Sequence, residues 1–321
     1  MTAIGGFFEM ERGHGNGGPW HAHALPLTSG RACLRAILDV MRPKRVLVPA
    51  FICDAALAPM RVLNIPFEFY RLSPALEPHA DAWPDDAAVI VVNYFDLKGR
   101  GADAMVAALG ERAIVDSTQA FFRRGSSRSY SFNSARKFFG VPDGAYVYGP
   151  DIAGIQTAGR NDAAPTGHLS ARLAGDLETA YRQYLAAEAQ VSCEMLSPSL
   201  CAQELLGGIA YDVAREARRR NFMQLHERLG AANTLAIDLS LDDDAAPFCY
   251  PLLPRGPSRH EALWRREIFV PRLWPEVALR SDPSFAWERD LATRLLPLPI
   301  DHRYGSRDML RIGDAVCEVA A

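Results

Sequence analysis

The chain has 321 residues, 35 basic side chains against 38 acidic ones for a formal charge of −3, and 49% hydrophobic residues, enough apolar mass for a large packed core. That balance excludes a disordered or fibrous chain and offers no global attraction to nucleic acid or to an anionic membrane. The longest apolar runs, such as residues 87–92, fall far short of the roughly 20 residues that span a bilayer, and the Gly- and His-rich start lacks a secretory pattern, so a cytoplasmic location is expected.

In chain order, Gly5, Gly6, Gly13, Gly15, Gly17, Gly18 and Pro19 predict a loop or arm over residues 1–25. Thr28-Ser29-Gly30 then precedes Leu34, Ile37, Leu38 and Met41, the spacing of a helix that Pro43 ends. Short β-branched or aromatic runs come next at residues 45–48, 65–70, 89–92 and 113–115, with helical patterns at 53–63 and 102–109 between them, and two further strands are expected at 130–132 and 145–148. This alternation predicts a mostly parallel central sheet flanked by helices.

Beyond residue 170 the pattern turns to long helices over 173–190 and 209–229, the second carrying Arg215, Arg218, Arg219 and Arg220 on what reads as a solvated face. Strands at 234–239 and 248–253, a helix at 259–266 and a last helix at 306–320 complete a smaller C-terminal α+β domain. The expected division is an arm (1–25), a large domain (26–229) and a small one (230–321).

The chemistry-bearing residues are few. Cys33, Cys53, Cys193, Cys201, Cys249 and Cys317 are scattered without a C-x-x-C pair and predict reduced thiols, not a zinc site or disulfides. Gly13, Gly15 and Gly18 match G-x-G-x-x-G, but no strand precedes them and no helix comes after, so no dinucleotide site is expected. His14, His21 and His23 share that segment without a carboxylate or cysteine to complete a metal site, and none is expected.

Three other stretches are more informative. Ser29, Gly30 and Arg31 offer a helix start with free N–H groups, either a phosphate cradle or a simple cap. Asp116 ends a buried strand, at the edge where open α/β sheets bind ligands, with Gln119 three residues on. Lys137 sits among aromatics and glycines and is one of only three lysines in the chain, beside Lys44 and Lys98. A phosphate cradle, a carboxylate and a turn lysine are the parts that pyridoxal phosphate needs.

These stretches resemble the DegT/StrS-type sugar aminotransferases, members of the pyridoxal-phosphate-dependent fold type I class. The similarity runs through Thr28 to Leu34, Val115 to Ala120 and Ser131 to Ala145, with Asp143-Gly144 at the family's distance from Lys137, and returns at Leu296 to Asp301. It implies pyridoxal 5'-phosphate as cofactor, Lys137 as its Schiff-base lysine, Asp116 on the ring nitrogen, Gln119 against the ring, and Ser29, Gly30 and Arg31 at the phosphate with either Ser131 or Ser134. Cys53 takes the place of the family's stacking aromatic. The segment by which that family reaches into a neighbouring subunit has no clear counterpart here.

The function so implied is transfer of an amino group from an amino acid, glutamate, to a nucleotide-linked keto sugar by a homodimer. Other pyridoxal-phosphate chemistry on a substrate without a nucleotide, or cofactor binding without turnover, are the alternatives. Arg123, Arg124 and Arg128, between the acid and the lysine, read first as a plain solvated loop, with contact to a substrate diphosphate as the alternative.

Overall fold

The structure, a computed structural model, describes residues 3–13, 15, 18–80 and 82–320. Its centre is an eight-stranded sheet, ordered from one edge Leu25–Leu27, Ala145–Tyr148, Tyr130–Phe132, Ala113–Asp116, Ala87–Val92, Arg45–Pro49, Phe67–Leu72 and Pro78–His79. The five strands from Tyr130–Phe132 to Phe67–Leu72 run parallel, and antiparallel pairing occurs only toward the two edges. Every residue of Ala87–Val92 is buried, as a strand covered on both faces requires. This is the mostly parallel sheet that the alternating pattern predicts.

The helix Gly30–Met41 forms as its periodicity predicts and packs against the sheet beside Tyr130–Phe132 and Ala145–Tyr148. It starts at Ser29, whose Oγ accepts from the Ala32 amide at 3.1 Å, and stops at Arg42, whose amide returns to Leu38 before Pro43.

Other expected elements break where their residues demand it. The helix foreseen over 53–63 divides into a 3₁₀ turn, Asp54–Leu57, and a short helix, Ala58–Val62, because Pro59 suits a helix start but interrupts one already running. The helix foreseen over 173–190 becomes Gly167–Leu173 and Leu177–Gln190, the second capped by Asp176, which accepts from the Thr179 amide at 3.1 Å. Residues 234–239 form no strand. Asn233 intervenes, taking the Leu253 and Leu235 amides on Oδ1 and donating to the Pro251 carbonyl, so Tyr250–Leu252 pairs with Leu296–Leu298 instead.

A second core gathers Tyr250, Leu263, Ile268, Leu298 and Ile312 around the last turns of Tyr211–Leu229, where Phe222 and Leu225 are buried. The chain's beginning joins it, since Ile4–Gly5 pairs in parallel with Ile268–Phe269. The arginine run of that long helix is only partly solvated. Arg218 is 1% exposed, donates to the Phe138, Pro247 and Phe248 carbonyls, and is pushed down to about 10 by burial.

In the Gly-rich segment Gly15 donates its amide to the Gly208 carbonyl, and Gly17 lies outside the described residues. His21 is spent on the Tyr148 hydroxyl at 2.6 Å and the Phe121 carbonyl at 2.8 Å, and burial lowers its pKa to about 3. His14 lies outside the described residues. The six cysteines are free, and among the described residues no helix is long and apolar enough to cross a membrane.

Candidate active site

Because the central strands run parallel, their carboxyl ends share one edge, and the residues that leave each strand emerge there. Ala113–Asp116 ends on the acid itself, and Tyr130–Phe132 leads through Ser134 into the turn Ala135–Lys137. The third contributor comes from Leu27, whose strand hands over to the helix at Gly30. Gly144, held at φ 118°, ties two of these together by donating its amide to Thr28 and accepting from Ala135. The lysine turn and the helix start are thereby fixed to each other.

A cavity of about 960 Å³ opens on this edge, and Ser29, Gly30, Arg31, Asp116, Ser134 and Lys137 line it, with Cys53 and Gln119. Lys137 donates from Nζ to the Thr118 hydroxyl at 2.8 Å. Asp116 is 6% exposed, and one of its oxygens accepts the Thr118 amide at 2.8 Å. Among the described residues its other oxygen has no partner. Thr118 therefore holds both charged groups, a role that the residue pattern did not assign although Thr118 lies inside the stretch from Val115 to Ala120.

The helix start is capped and still leaves amides open. Ser29 Oγ is committed to the Ala32 amide and to the Ser192 carbonyl, which leaves the Gly30 and Arg31 amides of the first turn without intrahelical acceptors. A Cβ at Gly30 would stand 3.2 Å from the Thr118 methyl, so glycine keeps the approach to those amides open.

The two candidate serines are placed differently. Ser134 lines the cavity, while Ser131 does not: its Oγ is buried without a partner and packs against Gly125 and Tyr148. Cys53 lines the cavity with its thiol pushed up by burial, and hence neutral. Gln119 lines it too, but its Oε1 accepts the Phe95 amide at 2.9 Å, fixing the turn after the neighbouring strand. Asp143 stands behind the lysine turn, clamped by Ser199 and Asn161 and raised by burial.

Arg123, Arg124 and Arg128 do not reach the cavity. Phe121 and Phe122 are drawn into a buried aromatic cluster with Phe138, Phe139 and Tyr211, which turns the residues after them outward. Arg123 pairs with Asp96 and Asp103, Arg124 covers the Trp20 ring, and Arg128 is exposed. The arginines that do line the cavity are Arg31, Arg136, Arg172, Arg218 and Arg272. Arg31 and Arg136 belong to stretches that the residue pattern singles out, but no local motif marks Arg172 or Arg272, nor the facing wall of Phe7, His168 and Tyr184, because these meet through contacts between distant parts of the chain.

No family model and no curated protein matches the chain. Solved structures do. A DegT DnrJ EryC1 StrS aminotransferase from Brucella abortus is 15% identical, with 94% of this chain and 87% of that one covered at a TM-score of 0.64. The fold is that of the sugar aminotransferases. The sugar aminotransferase CalS13 from Micromonospora echinospora gives 16% identity, 92% and 87% coverage and a TM-score of 0.60. The Spr1654 protein from Streptococcus pneumoniae, described as a sugar aminotransferase in its PMP form, gives 13%, 92%, 87% and 0.65.

Proposed function

We propose that the protein is a pyridoxal 5'-phosphate-dependent aminotransferase that moves an amino group from glutamate to a nucleotide-linked keto sugar. The observation that carries this reading is the convergence in one cavity of Lys137, Asp116 and the open amides of Gly30 and Arg31, contributed by three separate elements. The donor set matches the cofactor group by group: amides at a helix N-terminus for a phosphate, a carboxylate with a free oxygen for a pyridine nitrogen, and an amine for an aldehyde. The solved DesI structure, described in the presence of its TDP-sugar product, shares this fold at 15% identity and supports a nucleotide sugar as acceptor.

When bound, the cofactor supplies an electron sink for the carbon that loses its proton. Gly30 and Arg31 would hold the phosphate through backbone N–H, with the Ser134 hydroxyl as a further donor. The carboxylate of Asp116 would keep a proton on the ring nitrogen. Lys137 would take up and give back a proton at its Nζ, and Thr118 keeps that amine in place. We also propose a homodimer, supported by Leu177, Tyr181 and Leu185, exposed at four-residue spacing along one helix beside the cavity mouth.

Borohydride treatment of protein loaded with pyridoxal phosphate, and then peptide mapping, should leave the pyridoxyl group on Lys137. Adding glutamate should convert the bound cofactor to pyridoxamine phosphate. A label on Lys44 or Lys98 would refute the assignment, and loading without conversion by any amino acid would leave a silent binder.

A further inference from the structure

One corner of the cavity lies beyond the residues assigned to the cofactor. Arg136, immediately before Lys137, is ion-paired with Glu188 in the last turn of Leu177–Gln190, and both line the cavity. Their side chains are 16% and 33% exposed. Among the described residues Arg136 has no other hydrogen bond or ion pair. Of the other cavity arginines, Arg31 donates to the Val191 carbonyl, Arg172 to Gly5 and Glu9, and Arg218 to three carbonyls, while Arg272 lies over the Trp264 ring and pairs with Glu261, which does not line the cavity.

His168 and Tyr184 complete the corner. His168 is 3% exposed and its Nδ1 has no partner among the described residues. Its ring lies 5.9 Å from that of Tyr184, which in turn stacks on Phe7 at 4.8 Å and 7°. Burial and the nearby Arg136 charge lower the His168 pKa and keep the ring neutral.

From this arrangement we infer that Arg136 is the carboxylate-binding residue for the amino donor, and that Glu188 occupies it when no carboxylate ligand is bound. The ligand class, a dicarboxylic amino acid, rests on the aminotransfer reading; the affinity of the corner for a carboxylate does not. Two substrates share Lys137 by turns, one carrying carboxylates and the other neutral at its reacting end. An arginine left open beside the neutral substrate would be an unpaired cation in a half-buried site, a costly arrangement. Glu188 removes that cost, and it is exposed enough to turn aside when a ligand carboxylate takes the guanidinium in a bidentate manner. His168 then offers a neutral hydrogen-bonding nitrogen beside the same group.

The probe is glutarate, a dicarboxylate with no amino group, titrated calorimetrically into cofactor-loaded protein. Arg136→Gln should weaken binding roughly 10- to 100-fold, the value of a charge-assisted hydrogen-bonded pair, with Arg136→Lys between it and the parent. Glu188→Gln should tighten binding several-fold, because an internal competitor is gone. That opposite sign keeps the test open should the arginine variants fail to load cofactor. Equal glutarate affinity in the parent, Arg136→Gln and Glu188→Gln overturns the inference. Glutarate binding in the expected pattern while no amino acid converts the cofactor upholds the corner and removes the transferase reading. Conversion by glutamate at unchanged KM in Arg136→Gln does the reverse.

Discussion

The two walls of the cavity are made in different ways. One is the sheet edge, where Asp116, Ser134, Lys137 and the start of Gly30–Met41 sit at or just beyond the ends of regular elements. The other is assembled from Phe7 in the arm, His168 and Arg172 on Gly167–Leu173, and Tyr184 and Glu188 on Leu177–Gln190, joined by ring stacking and ion pairs. On the reading proposed above, the first wall would carry the groups that a cofactor needs in fixed positions, and the second would carry groups that meet substrates of different shape. If this division is right, substitutions on the sheet edge change cofactor loading and chemistry, and substitutions on the facing wall change substrate affinity and stability alone.

The largest effect belongs to Lys137. Lys137→Ala should abolish both the pyridoxyl label and glutamate-dependent conversion, leaving the fold intact by circular dichroism. Retained conversion would mean that the sheet edge does not hold the reacting amine. Next comes Asp116→Asn. The amide oxygen still accepts from Thr118, so loading should persist, but a neutral side chain no longer keeps the ring nitrogen protonated. Conversion measured by stopped-flow absorbance should slow on the order of a hundredfold; a change of only two- or threefold would remove the acid from the chemistry.

The division between the walls is also a division in what the sequence discloses. Asp116, Lys137 and Ser29 stand out because a strand end or helix start is written in adjacent residues, through β-branched runs, capping side chains and turn glycines. The eight-stranded sheet was legible for the same reason, except its short outer strands Leu25–Leu27 and Pro78–His79, which have too few residues to show a period. The facing wall has no such local signature. Phe7 and Tyr184 lie 177 positions apart in the numbering and meet because Ile4–Gly5 is held against Ile268–Phe269. The arginines at 123, 124 and 128 lie away from the cavity for a related reason that charge spacing in a loop does not reveal: Phe121 and Phe122 anchor the segment facing away.

A smaller effect tests the second wall. Phe7→Ala removes the ring that stacks on Tyr184 and lies under the Arg172 guanidinium at 4.8 Å. About 1 to 2 kcal/mol of stability should be lost in urea titrations, a partly buried aromatic contact together with a cation–π contact, and glutamate should bind more weakly. The pyridoxyl yield on Lys137 should not change. A fall in loading would show that the arm supports the cofactor side as well.

The smallest effect compares two serines three residues apart on the sheet edge itself. Ser134 is 8% exposed and lines the cavity, where its hydroxyl is available to a phosphate. Ser131 faces Gly125 and Tyr148, and its buried Oγ has no hydrogen-bond partner among the described residues. A hydroxyl buried without a partner contributes no bond and carries a desolvation cost, so Ser131→Ala should leave stability unchanged or raise it by up to about 1 kcal/mol. Cofactor affinity should not move. Ser134→Ala removes a donor at the site's mouth and should weaken cofactor binding about fivefold to tenfold, the net worth of one hydrogen bond to a charged group that neighbouring amides also hold. The measurement is cofactor dissociation monitored by gel filtration and absorbance, with urea titration of the same samples. The opposite pattern, weaker loading in Ser131→Ala and none in Ser134→Ala, would mean that the strand Tyr130–Phe132 presents its other face to the cofactor. Because a one-residue shift of register exchanges the two faces of a strand, this pair reports the register that also delivers Lys137.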